Sequence, residues 1–286
     1  MELYTEEKDE VVQEVARVLA NEMNNVYSGN WEQNARDHLS PIRAQEQFDV
    51  LSRFVPDLTG KRILEIGSSF GSMHALLCRR GVDAYAIEPD VTRIRLGRRF
   101  WRVLAESHSR VVAAIGEALP FADETFDVVF SSNVLEHVRS PATVLSETRR
   151  VLKRGGLMHV VVPNYGSIWE GHYALFWIPY LPPQLGKWYV RLYGRDPSFI
   201  DTLQFINPLW LRRLLWEVGG FEVIDEGIGL WQERLASPHF SAWSGLAKLQ
   251  PLVRAAQKLG VVRFVQAIGG LLKLHTPIIL TARKVA

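Results

Sequence analysis

The fold is decided by the stretch Arg62-Ile-Leu-Glu-Ile-Gly-Ser-Ser-Phe-Gly-Ser72, followed by a second apolar run at Asp83-Ala-Tyr-Ala-Ile-Glu-Pro89. Each apolar run predicts a parallel strand that is buried on both faces. The glycines between the runs allow a sharp turn, and a helix beginning near Gly71 points free amides and a positive dipole end at a ligand. Glu88 ends the second strand with a carboxylate that can accept hydrogen bonds from two ribose hydroxyls. This order of elements predicts a site for an adenosine-containing cofactor.

The glycine turn does not have the spacing of a dinucleotide site. Such a site requires Gly-x-Gly-x-x-Gly, whereas the turn here is Gly67-Ser-Ser-Phe-Gly-Ser72. With Glu65 two residues before the first glycine, the run resembles the first motif of the class I S-adenosylmethionine (SAM) dependent methyltransferases. Ser69 stands where that motif usually has its middle glycine. The resemblance implies that Glu65 lies near the ammonium end of the methionine moiety and that the loop lines the cofactor.

Three further segments continue this resemblance in the family's order. Residues 116–130 look like the loop beside adenine that leads into strand four, 131–138 like the turn after that strand, and 150–157 like the helix and turn before strand five. The resemblance covers about residues 60–163. Ile115 stands where many relatives have an acid, so backbone groups near Gly116 are expected to bind the adenine edge. The implied cofactor contacts are Glu65, Gly67, Ser68, Ser69, Gly71, Glu88, Pro89, Gly116, Glu117, Ala118 and Asn133.

The predicted fold class is α/β, with a doubly wound, seven-stranded, mainly parallel sheet and helices on both faces. The resemblance implies the strand order 3-2-1-4-5-7-6 with strand seven antiparallel. Ser140-Pro141 and Asn207-Pro208 predict helix starts, and strands are expected at 221–228 and 276–283. Four parts are expected: an N-terminal helical cap (1–58), a SAM-binding core (59–163), an aromatic insertion or lid with a helix (164–216), and a part that completes the sheet and contains a basic amphipathic helical connection (217–286).

The aromatic insertion holds thirteen of the thirty aromatic residues in the chain. Its prolines prevent one long helix. The aromatic rings could form a local mini-core or a lid over the methyl-acceptor pocket. Because ligands of open α/β sheets bind beyond the carboxyl ends of the strands, a lid is favoured, with many rings serving both purposes.

The carboxyl-terminal part is strongly basic. The last 53 residues have a formal charge of +8, although the whole chain has +2. A basic amphipathic helix of this kind can lie on an anionic membrane. A packed helix pair with a solvated basic face is the alternative, and it is favoured because Pro251 interrupts the pattern. The apolar positions at helical spacing are Leu246, Leu249, Leu252, Val253, Ala256 and Leu259, with Lys248, Arg254 and Lys258 between them.

Composition favours a cytoplasmic protein, and peripheral contact with a membrane is the alternative. The single cysteine, Cys78, excludes an intramolecular disulfide framework, the first ten residues are acidic rather than signal-like, and no apolar run approaches a membrane span. No nucleic acid is expected, because the arginine run at 93–102 is interpreted as a solvated helix face without a recognisable nucleic-acid module. A homodimer through the N-terminal helices and the insertion is a further option.

Methyl transfer from a sulfonium is an in-line displacement, and a hydroxyl acceptor also needs a base. His137 is the first candidate, with a structural role for Glu136-His137 as the alternative; His172 and Tyr173 are the other candidates. No spaced set of ligands suggests a metal site, so none is expected. The predicted function is SAM-dependent methylation of a small or lipid-linked acceptor, at the oxygen of a sugar, aromatic compound or secondary metabolite. A non-catalytic SAM-binding protein and an RNA methyltransferase are the alternatives, and a nicotinamide-dependent oxidoreductase is disfavoured.

Overall fold

A computed structural model describes residues 2–23, 26, 29–103, 110–237 and 250–285. Three helices precede the first strand: α1 (Glu2–Met23), α2 (Trp31–His38) and α3 (Pro41–Ser52). Strands and helices then alternate through β1 (Arg62–Ile66), α4 (Ser72–Arg79), β2 (Asp83–Glu88), α5 (Val91–Val103), β3 (Val111–Ala113), β4 (Phe126–Ser132), α6 (Pro141–Val151) and β5 (Leu152–Val162).

The rest of the described chain adds a hairpin, five α-helices, a 3-10 helix and two strands of the main sheet. In chain order these are β6 (Trp169–Glu170), β7 (Leu175–Phe176), α7 (Pro183–Leu192), a 3-10 helix (Ser198–Thr202), α8 (Pro208–Val218), β8 (Phe221–Asp225), α9 (Ile228–Ala236), α10 (Gln250–Lys258), α11 (Val262–Leu271) and β9 (Ile278–Lys284). Part of the expected basic amphipathic helix, including Leu246, Lys248 and Leu249, lies outside the described residues.

The main sheet has seven strands in the order β3-β2-β1-β4-β5-β9-β8. When the small hairpin β6–β7 is left out of the numbering, this order is 3-2-1-4-5-7-6, as expected. The last strand, β9, is antiparallel to both of its neighbours, and the other pairs are parallel. Because Ile66 at the end of β1 pairs with Ser131 near the end of β4, the loops after these two strands lie side by side.

Both proline-marked helix starts are confirmed. The hydroxyl of Ser140 accepts a hydrogen bond from the amide of Thr143 at the start of α6. The side chain of Asn207 accepts from the amides of Leu209 and Trp210 at the start of α8. In each helix the proline occupies the first turn, where its missing amide has no helical partner to lose.

The strand after α8 ends at Asp225 and is therefore shorter than the expected strand at 221–228. The Asp225 carboxylate accepts a 2.6 Å hydrogen bond from the amide of Gly227, and Gly227 has a φ of +79°. This left-handed residue turns the chain out of the sheet and into α9, a conformation for which glycine is suited.

The N-terminal helices pack over α5 and thereby cover one face of the sheet. Val11, Val15 and Leu19 of α1 share an apolar cluster with Phe100 and Trp101 of α5. The facing surfaces also carry opposite charges, since Arg99 of α5 pairs with Glu7, Glu10 and Glu14 of α1. The arginine run on α5 is therefore partly neutralised by α1 rather than wholly solvated.

The aromatic insertion forms a small core of its own on the carboxyl side of the sheet. Tyr165, Tyr173 and Trp177 are buried together, whereas Trp188 and Tyr193 are exposed. The hydroxyl of Tyr180 donates a 2.9 Å hydrogen bond to the carbonyl oxygen of Leu272, which joins the insertion to the end of α11. Some rings thus form a mini-core while others face outward.

Candidate functional site

The glycine loop between β1 and α4 rests on the carboxyl end of β2. The amides of Gly67 and Ser68 both donate to the carbonyl oxygen of Ile87, at 2.9 and 3.0 Å. Gly67 and Gly71 have φ values of +75° and +81°. A Cβ on Gly67 would lie 2.3 Å from Cγ2 of Val134. Only glycine therefore fits between this loop and the turn that follows β4.

Glu88 ends β2 beside this loop, as the sequence predicted. Its carboxylate accepts hydrogen bonds from the amides of Ser69 at 2.8 Å and of Asp90, beyond Pro89, at 3.1 Å. Burial raises the pKa of Glu88, against the opposing effect of these two amides. The two amides fix the carboxylate in position, and each oxygen keeps lone pairs for a further donor.

Arg93, on α5, is a residue of this site that the sequence analysis missed. Its guanidinium donates to the Ser69 hydroxyl at 3.1 Å, pairs with Glu22 of α1 and lies over the ring of Phe70 at 5.5 Å. The arginine run was interpreted as a solvated face, and the run gives no signal that this one guanidinium turns towards the loop. Arg93 thus connects the glycine loop to the N-terminal helical cap.

Several buried polar atoms at the carboxyl ends of β1 and β4 have no hydrogen-bond partner among the described residues. They are Oε2 of Glu65, Oγ of Ser68, Oγ of Ser131 and Oδ1 of Asn133. Burial, and next the negative charge of Glu88, raise the pKa of Glu65 to about 8. Unpartnered buried polar atoms are costly; an ammonium group would donate to the Glu65 and Asn133 oxygens, and a carboxylate would accept from the two serine hydroxyls. These residues therefore fit the amino-acid end of SAM.

The loop expected beside adenine lies close to β1, and some of its polar groups form hydrogen bonds within the chain. A Cβ on Gly116 would lie 3.4 Å from Cγ2 of Ile66, which places this loop against the end of β1. The Glu117 carboxylate accepts from the amide of Arg139 at 2.9 Å, and the amide of Ala118 donates to Ile115. Of the expected adenine contacts, the Glu117 side chain and the Ala118 amide therefore already have partners within the chain.

A second polar cluster lies just beyond the turn after β4. Glu136 is fully buried and neither of its carboxylate oxygens has a hydrogen-bond partner among the described residues. Nε2 of His137 lies 3.8 Å from Oε1 of Glu136, and the ring of His172 stands edge-on to that of His137 with centroids 5.3 Å apart. Nδ1 of His172 lies 2.8 Å from Oε1 of Glu170. The fold thus brings both candidate histidines together.

The charges in this cluster shift each other's pKa values. Burial, followed by the charge of His172, lowers the pKa of His137 to about 4. Burial raises the pKa of Glu136 to about 7, against the opposing effect of His172. Burial alone would lower the pKa of His172, but the carboxylates of Glu170 and Glu136 outweigh it and the pKa lies above its ordinary value. His137 is accordingly the neutral imidazole of the pair.

Tyr173 is placed differently from the two histidines. Its hydroxyl donates a 2.7 Å hydrogen bond to the carbonyl oxygen of Asp196, and burial raises the pKa of this phenol well above its ordinary value. Its amide donates to the Glu170 carboxylate at 2.6 Å. Tyr173 therefore supports Glu170 through its backbone, while its phenol is directed into the core of the insertion.

Glu170 is a site residue that sequence reasoning did not single out. It accepts from the hydroxyl of Tyr165 at 3.1 Å as well as contacting His172. Burial acts to raise its pKa, but His172 outweighs this effect and the pKa lies below its ordinary value. The signal available in the sequence was its position two residues before His172, in the run Glu170-Gly-His-Tyr173.

Residues 64–160 of the chain match the family described as methyltransferase domain. An uncharacterized methyltransferase of Mycobacterium sp. (strain JLS) is 37% identical over 115 residues, which are 40% of this chain and 42% of that relative. An uncharacterized methyltransferase of Mycobacterium leprae (strain TN) is 38% identical over 115 residues, 40% of each chain. The chain thus spans less than half the length of these relatives.

Two solved structures show the same fold over most of the chain. The [4+2]-cyclase SpnF has a TM-score of 0.52 at 20% identity, covering 97% of this chain and 96% of that one. Phosphoethanolamine N-methyltransferase 2 of Haemonchus contortus, in complex with phosphomonomethylethanolamine and S-adenosylhomocysteine, has a TM-score of 0.52 at 18% identity, covering 85% and 53%. Residues 64–160 thus match a methyltransferase domain, and the seven-stranded sheet that contains them has the fold of the class I S-adenosylmethionine-dependent methyltransferases.

Proposed function

We propose that the protein transfers a methyl group from SAM to a hydroxyl oxygen of a small or lipid-linked acceptor, such as a sugar, an aromatic compound or a secondary metabolite. The observation that carries this proposal is the position of His137 and His172 beyond the turn that packs on the glycine loop. The amide of His137 donates to the carbonyl oxygen of Val134 at 2.8 Å, and Val134 is the residue that lies against Gly67. The imidazole of His137 thus lies one turn away from the residue that packs against the glycine loop, and we propose that this loop lines the cofactor.

The residues of the chain divide into a cofactor end and an acceptor end. When bound, SAM supplies an electrophilic methyl group on a sulfonium sulfur. Glu65 and Glu88 would hold its ammonium and ribose groups, and the orphaned hydroxyl of Ser131 is available to the same ligand. The cluster of Glu136, His137 and His172 would hold the acceptor oxygen and promote the loss of its proton. Alignment and exclusion of water supply most of the acceleration in such a displacement.

The insertion closes the acceptor end of this site. The amide of Gln204, which follows the 3-10 helix, donates a 2.7 Å hydrogen bond to the carbonyl oxygen of Glu136. The ring of Phe199 lies against His137 and His172, with centroid distances of 6.2 and 5.4 Å. An aromatic wall beside a basic cluster suits the flat faces of sugars and aromatic rings.

Turnover assays with purified protein test this proposal. Release of S-adenosylhomocysteine would be measured with panels of hydroxyl and amine acceptors, together with calorimetric binding of SAM to wild type and His137→Gln. We expect turnover with hydroxyl acceptors only, and His137→Gln to keep cofactor binding while losing turnover. Turnover confined to amines would refute oxygen as the target, whereas SAM binding without any turnover would favour the non-catalytic alternative. That alternative matters because the fold is shared with a cyclase, so fold alone does not decide the reaction.

The exposed face of α10 and α11 supports a lipid-linked acceptor. Large apolar side chains lie open to solvent there, with Leu259 76% and Leu271 82% exposed. Arg254, Lys258 and Arg263 belong to the same two helices or their connection, and the sequence has no acid after Glu233. Apolar side chains interspersed with cations are complementary to an anionic bilayer. We therefore propose peripheral attachment of this face to an anionic membrane.

This face is located at the same edge of the sheet as the site. Asn164, just after β5, donates to the carbonyl oxygens of Lys273 and His275 beyond α11. The segment after α11 therefore enters the sheet at the carboxyl end of β5. None of the described helices is long and apolar enough to cross a membrane. A protein attached through α10 and α11 would hold its acceptor site towards the lipid surface.

Sedimentation with vesicles tests the attachment. Wild type is expected to pellet with vesicles of anionic lipid and to stay in solution with zwitterionic ones, and Leu259→Glu with Leu271→Glu should abolish pelleting. Leu209→Glu is the matched control, because Leu209 is an exposed leucine of α8. Absence of pelleting by wild type would overturn this proposal. So would light scattering that shows a dimer dispersed by the same two substitutions, since the face would then be covered by a second copy.

A further inference from the structure

We propose that Glu136, His137 and His172 form a binding site for a divalent first-row transition metal, at the acceptor end of the cleft. This inference rests on the proposed function, because it names what activates the acceptor oxygen there. One ligand atom from each residue lies within 4.8 Å of the other two. No spacing in the sequence indicates this ligand set, because the fold brings His172 from the insertion to the turn that contains Glu136 and His137.

The burial of Glu136 favours a cation as its partner. Its side chain is fully buried, and neither carboxylate oxygen has a hydrogen-bond partner within the described ranges. Removing a carboxylate from water without partners is among the most costly arrangements in a protein interior. A metal ion that binds one or both oxygens supplies the missing interaction. Nε2 of His137 lies 3.8 Å from Oε1 of Glu136, which is too long for a hydrogen bond.

His172 has the arrangement of a metal ligand with an outer partner. Its Nδ1 atom is 2.8 Å from the Glu170 carboxylate, which leaves Nε2 to bind the metal. Metal-binding histidines usually donate their other ring nitrogen to a carboxylate, which fixes the ring and raises its basicity. Glu170 is itself held by the hydroxyl of Tyr165 and the amide of Tyr173. The outer shell of the site is therefore already formed.

The ligand set determines the class of metal. Two imidazoles and one carboxylate bind Zn²⁺, Fe²⁺ or Mn²⁺, whereas Mg²⁺ and Ca²⁺ prefer sites made of oxygen. In a tetrahedral zinc site the ligand atoms are about 3.4 Å apart, so these side chains would close by roughly 1 Å around the ion. The His137 side chain is 40% exposed, which leaves an open side where an exogenous oxygen can bind.

An open coordination position gives the metal a role in the proposed reaction. An acceptor hydroxyl bound there is polarised by the cation and loses its proton more easily. The acceptor oxygen then forms its bond to the methyl carbon while the bond from that carbon to sulfur breaks, and the hydroxyl proton passes to solvent. S-adenosylhomocysteine and the methyl ether are the products, so no oxidant or reductant is required.

Metal titration tests the site independently of methyl transfer. The full chain, purified without a polyhistidine tag and treated with chelator, would be titrated with Zn²⁺ alone by calorimetry. We expect one tight site per chain in wild type and its loss in Glu136→Gln and His172→Gln. Glu170→Gln should weaken binding by roughly 10- to 100-fold, because it removes only the outer partner. Two matched controls should bind as wild type: Tyr173→Phe, adjacent to His172, and Glu222→Gln on β8.

Two further measurements keep the test decisive. Co²⁺ should give visible absorption bands of a low-coordinate site in wild type and in Tyr173→Phe but not in Glu136→Gln. Thermal unfolding with and without Zn²⁺ should show a stabilising shift in wild type that His172→Gln lacks, which separates loss of the site from loss of folding. Absence of a stoichiometric site in wild type, or full binding by folded His172→Gln, would overturn the proposal. Metal binding without methyl transfer would instead leave the metal site standing and refute the proposed function.

Discussion

The backbone amide of Ser69 donates a 2.8 Å hydrogen bond to the Glu88 carboxylate while Ser69 itself has a φ of +52°. A residue with a Cβ is therefore held in the left-handed region at the position where related motifs usually have glycine. Left-handed backbone costs a non-glycine residue roughly 1–2 kcal/mol. The Ser69 hydroxyl offsets part of this cost through its 3.1 Å hydrogen bond with Arg93.

Replacing Ser69 by glycine or by alanine separates these two effects. Both variants lose the hydroxyl, but only Ser69→Ala keeps the Cβ in the left-handed region. We expect Ser69→Gly to have a free energy of unfolding about 1 kcal/mol higher than that of Ser69→Ala. Urea denaturation of the two variants measures the difference. Equal stability would show that this loop relaxes to a negative φ when the hydroxyl is removed.

Removing the Glu88 carboxylate should weaken SAM binding without unfolding the sheet. Glu88→Ala removes the proposed ribose acceptor and also the partner of the Ser69 and Asp90 amides. A hydrogen bond to a charged group contributes about 1.5–3 kcal/mol, so the dissociation constant should rise roughly 10- to 100-fold. Glu222→Ala, on the far edge strand β8, is the matched control. Unchanged affinity in calorimetric titrations of Glu88→Ala would place the ribose elsewhere.

A side chain at Gly67 should disrupt the site, and shortening Val134 should restore part of it. The Cβ of Gly67→Ala would lie 2.3 Å from Cγ2 of Val134 and 3.4 Å from its Cβ. We expect loss of SAM binding and a stability decrease of about 1–3 kcal/mol. Adding Val134→Ala removes the closest contact but not the strain at φ +75°, so recovery should be partial. Complete recovery would mean that the clash alone excludes a side chain here.

Binding of SAM should release a proton from Glu65 near neutral pH. Burial and the charge of Glu88 raise the pKa of this carboxyl from 4.5 to about 8, so it holds a proton at pH 7 in the cofactor-free protein. A bound ammonium group favours the ionised form and lowers the pKa. Calorimetry in buffers of different ionisation enthalpy should show about one more proton released by wild type than by Glu65→Gln. A difference of zero would mean that Glu65 stays protonated in the complex.

The raised pKa of Glu65 also determines how the stability of the folded protein changes with pH. Because the folded protein holds the Glu65 proton more tightly than the unfolded chain, stability from this group is fully present below pH 4.5 and decreases as the pH rises towards 8. Glu65→Gln cannot ionise and should lack this decrease. Thermal unfolding of the cofactor-free protein across this range gives the comparison, and parallel curves for the two proteins would contradict the shift.

The positions of the glycine loop and of Glu88 could be predicted from the sequence because their determinants are local. Gly67, Gly71 and Glu88 act through turns and strand ends within one unit of strand, helix and strand, so their spacing specifies their positions. The helix starts at Ser140 and Asn207 were predictable for the same reason, since a capping side chain acts on amides two or three residues away.

The second cluster could not be predicted as a unit. Glu136 and His137 follow β4, whereas His172 belongs to the insertion, and no spacing in the sequence relates them. Their approach depends on tertiary contacts, such as the Gln204 amide with the Glu136 carbonyl and the Tyr165 hydroxyl with Glu170. For the same reason no metal ligands were expected from the sequence, because Glu136 and His137 lie far from His172 along the chain.

Two neighbouring glycines of α11 should respond in opposite ways to the same substitution. A Cβ on Gly269 would lie 2.3 Å from Cη2 of Trp231 in α9, whereas one on Gly270 would meet no atom nearer than 3.6 Å. Alanine is favoured over glycine within a helix by about 0.8–1 kcal/mol. Gly270→Ala should therefore stabilise the protein by up to about 1 kcal/mol. Gly269→Ala should destabilise it by about 1–3 kcal/mol, because Trp231 must move.

The pair also tests whether α11 rests on α9 through one face only. If that face is fixed by Gly269 and Trp231, Gly269→Ala should increase proteolysis of the segment between α9 and β9, while Gly270→Ala should leave it unchanged or slower. Urea denaturation of both variants measures the free energy of unfolding, and limited proteolysis measures how readily this segment is cleaved. Since the substitutions are chemically identical and adjacent, equal stabilities would mean that helix propensity alone governs α11. The helix would then not be held against Trp231. The face of α11 that we propose binds the membrane would then have no fixed orientation relative to the sheet.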